Sequence, residues 1–508
     1  MSRTEQSLKN IKFSSITLVI SILLNFISRK VFIDCLGTDI VGLSSTLLNI
    51  LGFLNLAELG LTSAIAGMLY VPLYSNDKGK VVDIISIFGY LYRIIGIVIF
   101  WGGIILSFFL GYLFKDTNIP LSYIVMGYYT YLSVSLVGYF ISYKQTLLVA
   151  DQCEYIVTTY TYLAQVLKLI VQICALRYIE CGYIIWLVIE LIFGLGYGLL
   201  INRKVLKRYP WLNSSYNRGK IVRKEYSSLF TTIKQVIPHN FAAFVQNQSS
   251  NILIYVFSSL SAVTIYTNYT MILVRSVQVL NLCMRGMTAS FGNLIAEGNM
   301  KNTLGVFYQF QSVFLIIAGT LCITCYFQID AFINVWLGNG FLLQKWILIL
   351  MLYVMYVSII RLPVNYFIGG FVLYKDIWAP IAEAIINVVV AVIAGHYLGI
   401  GGVVIGSVVS LTLIIVLWKP LFLFSHGFNR SSLSYWCNLA KGVTISFIVW
   451  LLIGSFRSIL TLWGEDSFFL FFINSFLIFL LSFLMISLLH YLFDIHFRHF
   501  MKRIKILI

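Results

Sequence analysis

Charged side chains are scarce in this chain. Asp, Glu, Lys and Arg make up 11% of its 508 residues, whereas soluble domains run near ~25%. With 60% apolar residues and a mean hydropathy of +0.91, this scarcity excludes an ordinary soluble fold. Long polar stretches are missing too, so no sizeable soluble domain fits between the apolar runs. Cysteine and histidine number only 8 and 6, and their spacing makes neither a disulfide framework nor a metal site. Cys322 and Cys325 form a C-x-x-C, but inside an apolar stretch, where small buried helix residues are the plainer reading. His239 stands alone after Pro238, and His496 and His499 read as solvated members of a basic tail. The longest outer loop, 329–344, offers only Asp330. Neither an enzyme nor a bound metal or cofactor is expected. The first apolar run is too long for a cleaved signal peptide.

What is present is a series of about 14 apolar stretches, each of a length that crosses a bilayer as a helix. They lie near 14–34, 40–65, 84–113, 119–142, 155–177, 182–202, 232–258, 262–287, 304–328, 345–373, 377–398, 402–424, 437–457 and 468–490. The expected fold is an all-α polytopic membrane protein of two six-helix lobes, related by a pseudo-two-fold axis, plus two C-terminal helices. The N-lobe covers 1–202, a basic cytoplasmic linker 203–231, the C-lobe 232–424, and the last two helices with a basic tail 425–508. With the N-terminus inside, 25 of the 35 basic residues fall in inside segments and 4 in outside loops. Both termini are therefore expected in the cytoplasm. The net charge of +16 then reflects topology, not nucleic-acid binding. A parallel repeat is echoed where span two ends in Gly60-Leu61-Thr62-Ser63-Ala64 and span eight in Gly286-Met287-Thr288-Ala289-Ser290.

Four spans carry polar stripes at helical spacing. Span one has Ser21, Asn25, Ser28 and Arg29. Span two has Asn49, Asn55 and Glu58. Span seven has Asn247, Ser250 and Asn251, and span eight Thr264, Asn268, Arg275 and Gln278. Two from each half suggest one hydrated chamber. A charge at bilayer depth costs about 2.5–3.5 kcal/mol on insertion scales and needs a partner. Depth along each helix pairs Lys168 with Glu190, Arg361 with Glu383, and Glu58 with Arg93, although Glu58 is equally a candidate for ion coupling. Arg29 and Arg275 are left without a carboxylate at matching depth. Arg29 either snorkels outward or faces the chamber, whereas Arg275 is too deep to escape. A guanidinium fork suits phosphate oxygens, so the chamber is expected to receive a phosphate-bearing anion.

The run Gly37–Ala64, with Val41-Gly42-Leu43 and Glu58-Leu59-Gly60-Leu61, resembles the first two spans of polysaccharide-biosynthesis flippases. These belong to the multidrug/oligosaccharidyl-lipid/polysaccharide exporter superfamily. The resemblance implies a bacterial cytoplasmic membrane protein that moves an undecaprenyl-pyrophosphate-linked oligosaccharide repeat unit to the outer leaflet by alternating access. It also implies a V-shaped pair of lobes with spans one, two, seven and eight lining the cavity. Besides membrane lipids, a polysaccharide polymerase and chain-length machinery are the implied partners. The acidic residue often expected in span seven of relatives is absent, Asn247 and Asn251 occupying that stretch. A multidrug exporter and a peptidoglycan-precursor flippase of the same superfamily are the alternatives; cationic drugs would call for an acidic cavity.

Overall fold

The computed structural model describes residues 3–54, 61–151, 153–179, 182–226, 248–284, 291, 294–295, 297–371, 373, 376, 378–460 and 468–507, with only the backbone of 3–19, 62–64, 66–67, 282–284, 457–460, 468 and 504–507. Among the described residues it is helical, with no strand. This follows from composition, because in lipid an apolar segment must satisfy its own backbone donors and acceptors. Nine described helices are long and apolar enough to cross a membrane, or ten if the bent pair Leu121–Phe140 and Ser142–Ala150 is one span. The chain is a multi-pass membrane protein. It divides into two compact units, Met1–Thr264 and Ile265–Ile508. The division falls inside the helix Leu260–Met284.

The first unit begins with α1 (Arg3–Leu36), α2 (Thr38–Leu54), α3 (Leu61–Tyr74) and α4 (Lys78–Ser107). Gly37 turns α1 into α2 at φ +83°. Asn76, at φ +54°, turns α3 into α4, and Asp77 caps α4 by accepting from the Lys80 N–H at 3.0 Å. Then come α5 (Leu121–Phe140), α6 (Gln145–Ala150), α7 (Glu154–Tyr178), α8 (Gly182–Arg208) and α9 (Tyr216–Val222). α7 packs on α1 and α8, and α5 on α4 and α8. The expected span seven lies mostly outside the described residues; 248–257 are helical. α10 (Leu260–Met284) follows.

The second unit contains most of α10, then α11 (Met300–Leu337), α12 (Lys345–Gly370), α13 (Trp378–Leu398), α14 (Ile400–Phe428), α15 (Leu433–Leu460), α16 (Phe468–Phe493) and α17 (Ile495–Leu507). α13 and α14 form a close hairpin through Gly402 and Gly406, since a Cβ there would lie 2.1 Å from Ala394 O and 2.5 Å from Asn387 O. Small residues let helix backbones meet in membranes. The C-terminal pair packs on α11: Ile316, Ile323 and Phe327 meet Val449, Ile453, Ile478 and Ile486.

Two expectations need correction. The stretch 329–344 is not an outer loop. α11 continues to Leu337 because 329–337 is still apolar apart from Asp330, whose carboxylate pairs with Lys345 at 2.5 Å. Nor does the basic linker begin at 203, although six of its eight cations up to Lys224 are exposed, as expected of a solvated segment. α8 carries the chain to Arg208, and α9 docks on α4. Arg218 Nε bonds Asp83 at 2.5 Å, and Arg223 Nη1 bonds the Tyr90 hydroxyl at 2.6 Å. Gly219 permits this approach, for a Cβ would lie 2.1 Å from Ser86 O.

Candidate transport site

The corner between α1 and α2 organises the polar residues of the first unit. Asn25 turns back on its own helix, its amide donating to Ser21 O at 2.6 Å. Asn49 does the same to Ser45 O at 2.6 Å. Such i−4 bonds satisfy a polar side chain where water is absent. One turn beyond Asn25, Arg29 Nη2 donates to the Thr264 carbonyl at 3.5 Å. That carbonyl lies in the first turns of α10, which is stitched to the corner by further bonds. Thr38 Oγ1 and Ser261 Oγ are 3.0 Å apart, Ser261 donates to Asp39 Oδ1 at 2.5 Å, and Thr264 Oγ1 donates to Thr38 O at 2.7 Å. Gly42 lets the backbones touch, because a Cβ there would lie 2.0 Å from Leu260 O. The result is a polar seam beside Arg29. Thr38, Asp39, Gly42 and Ser261 were not among the expected site residues. Their one sequence signal is the cluster of small hydroxyl residues flanking Asp39.

On α10, the expected polar face changes character along its length. Thr264 and Asn268 are fully buried, Arg275 is half-buried and Gln278 is exposed. Arg275 Nη1 donates to Gln278 Oε1 at 2.8 Å, one turn on. Its hydrogen-bond partner is thus neutral, and no carboxylate pairs with it among the described residues. Asn251 is half-buried in 248–257. Asn55, Glu58 and Asn247 lie outside the described residues.

The deep charges sort differently. Lys168 Nζ lies 2.7 Å from Glu190 Oε1, and Gln172 Nε2 donates to the other carboxylate oxygen at 3.1 Å. Facing positions on the α7–α8 hairpin bring these three together. No ion pair joins Arg361 to Glu383. Glu383 is buried on α13 and Arg361 half-buried on α12; equal depth does not make two helices turn the same faces together. Arg93, whose expected partner Glu58 lies outside the described residues, has its guanidinium 5.1 Å from the ring centroid of Tyr216, at the start of α9. Cys322 and Cys325 are free, and Cys322 bonds Leu352 O at 3.5 Å. His496 is not simply solvated but stacks on Tyr308, with ring centroids 4.7 Å apart.

No known family model matches the chain, and no curated protein sequence does. Solved structures do. The lipid II flippase MurJ in its inward closed conformation superposes with a TM-score of 0.66 at 15% identity, over 94% of this chain and 98% of that one. An inward-facing multidrug resistance MATE family transporter of the MOP superfamily gives 0.56 at 16% identity, over 81% and 98%. An outward-facing MATE family transporter of that superfamily gives 0.52 at 17%, over 82% and 96%. At these identities the likeness is one of fold: this chain is built as a lipid II flippase and MATE transporters are built.

Proposed function

We propose that this protein moves a polyprenyl-pyrophosphate-linked oligosaccharide from the cytoplasmic to the outer leaflet of a bacterial cytoplasmic membrane by alternating access. The observation that carries this reading is Arg275, a half-buried guanidinium on α10, the expected span eight, whose bonded partner is the neutral Gln278. A cation so placed favours an anionic guest, and its planar fork suits a diphosphate. The likeness in fold to a lipid II flippase and a MATE family transporter supports this reading. Arg275 engages the diphosphate on the cytoplasmic side, with Gln278 and Asn251 offering amides to sugar hydroxyls. Arg29 engages it on the outer side. There the guanidinium now bonds Thr264 O at 3.5 Å, a contact that an arriving diphosphate would displace. The seam of Thr38, Asp39, Ser261 and Thr264 must part for the cargo to leave. The polyprenyl tail stays in lipid throughout.

A second reading, a flippase for a peptidoglycan precursor, is favoured by the coverage of the chain: the MurJ likeness spans 94% of it, against 81% for the inward-facing MATE transporter. Both cargoes present the same lipid diphosphate to Arg275. The test is flipping of a fluorescent polyprenyl-diphosphate oligosaccharide in proteoliposomes. Arg275→Ala at normal protein level should abolish it, and Arg275→Lys should retain a fraction. Unchanged flipping in Arg275→Ala would remove the residue from the mechanism. Exchanging the oligosaccharide for a muropeptide head group separates the two cargoes.

A further inference from the structure

The first unit holds a site suited to an anion on residues that the proposed transport does not use. A cavity of about 300 Å³ opens between α4, the end of α5, the turn Ser142–Lys144, α8 and the residues that lead into α9. Arg93 and Lys144 both line it, with Tyr143, Asn202, Ser214 and Tyr216, and no lining residue is a carboxylate. Both cations lie against aromatic rings. The Arg93 guanidinium is 5.1 Å from the Tyr216 centroid, and Lys144 Nζ is 5.9 Å from that of Tyr143. The acids nearby are already engaged. Asp83 holds Arg218 at 2.5 Å. Asp151 accepts from Tyr209 at 2.6 Å and lies 3.8 Å from Arg208. Among the described residues neither Arg93 nor Lys144 has an ion-pair partner. Asn202 Oδ1 is buried without a hydrogen bond, and its amide can present either end to a ligand.

The location adds a second argument. Arg218 and Arg223 bond Asp83 and Tyr90 along the first turns of α4, so those turns stand in water or among headgroups. Arg93 lies about one turn further in. The cavity therefore sits near the level at which lipid phosphates lie. Its wall is shared by the membrane helices and the docked connector. A wider groove beneath Lys204, Lys207 and Arg208 is less suited, since Arg208 is already paired with Asp151. We propose that the Arg93–Lys144 cavity binds a phosphate-bearing anion, either a phospholipid headgroup or soluble phosphate, and so ties the connector to α4 and α5. The guanidinium fork takes two phosphate oxygens, the ammonium a third, and the hydroxyls of Tyr143 and Ser214 complete the shell.

The test uses the full-length protein in uncharged detergent, with thermal unfolding followed on addition of phosphatidylglycerol, phosphatidylcholine, or inorganic phosphate against chloride at matched ionic strength. Phosphatidylglycerol should raise the midpoint of the wild type and of the surface control Arg498→Gln/Lys502→Gln, and phosphatidylcholine should not. In Arg93→Gln/Lys144→Gln the apparent affinity should fall about tenfold or more, as the loss of two charge-assisted contacts implies. If inorganic phosphate alone reproduces the shift with the same dependence on Arg93 and Lys144, the ligand is soluble phosphate; if only phosphatidylglycerol does, it is a headgroup. A double variant that keeps the whole shift, or a wild type that responds to neither phosphate source, would overturn the assignment. Should the double variant fail to fold, native mass spectrometry counts the phosphatidylglycerol and phosphate retained by wild type and Lys144→Gln, and equal counts of both would overturn it.

Discussion

Removing the Lys168–Glu190 pair one charge at a time should cost far more than removing it whole. The ammonium and carboxylate are 2.7 Å apart, with side chains 22% and 16% exposed. At an effective dielectric near 20, their attraction is about 6 kcal/mol. Most of that offsets the loss of water by both groups, so the pair contributes little net stability. Glu190→Gln leaves Lys168 stranded among apolar helices and should destabilise by about 3–5 kcal/mol. Lys168→Met should cost somewhat less, because Glu190 keeps the Gln172 bond of 3.1 Å. The double variant strands nothing and should lie within about 1 kcal/mol of wild type, so the two single losses together should exceed the double loss by about 4 kcal/mol or more. Equilibrium unfolding in mixed micelles of uncharged detergent and dodecyl sulfate measures all four proteins. Additive single effects would refute the reasoning. The double variant should also transport normally; a stable double variant without transport would move the pair from scaffold to mechanism.

The seam of Thr38 and Ser261 makes a sharper functional prediction. With Thr38 Oγ1 and Ser261 Oγ 3.0 Å apart, Thr38→Cys/Ser261→Cys in a background lacking the exposed Cys35, Cys174 and Cys437 should crosslink on oxidation, stopping transport until reductant is added; full transport by the crosslinked protein would show that the seam never parts. Gly219→Val forces the connector off Ser86 O, and a clash of about 1–3 kcal/mol should raise tryptic cleavage at Arg218–Lys224 about tenfold or more, whereas unchanged cleavage would mean α9 docks without that contact. Acid should loosen α17. Burial lifts the Asp494 carboxyl, but bonds from His490, Ser312 and the His496 N–H hold it below its usual 3.8, so that contribution is present above 3.8 and lost as pH falls through the lowered value. Burial also lowers His496 below 6.5. The unfolded chain therefore takes that proton first, and stability falls as pH drops from 7 through 6.5; thermal midpoints of Asp494→Asn and His496→Phe should each flatten their part of the profile.

What could be foreseen from the sequence follows from what the bilayer itself dictates. Hydrophobic length marks helices because lipid offers the backbone no other partner. Depth paired Lys168 with Glu190 because α7 and α8 form a hairpin, so equal distance from one turn means equal height. The same rule did not join Arg361 to Glu383, since height says nothing about how helices on either side of a break are rotated. Six of the eight cations between Arg203 and Lys224 are exposed, as in a solvated run; what charge counts alone do not see is that Arg218 meets Asp83, just before the span expected at 84–113, and Arg223 meets Tyr90 within it. Gly219 was the available clue, a glycine in a basic segment whose absent Cβ makes room for Ser86 O. Gly42 holds the same clue at the polar seam, against Leu260 O. Both close approaches join segments more than 130 residues apart, and no local periodicity encodes a contact of that range. Their chemistry is that of soluble docking, with a missing side chain on one surface and hydroxyls or acids on the other. Transport by this chain would have to open such junctions while leaving the lipid-facing helices intact. On the proposed reading the seam residues Thr38, Asp39 and Ser261, held by a few hydrogen bonds of modest net strength, should part more readily than the apolar α11–α15–α16 core.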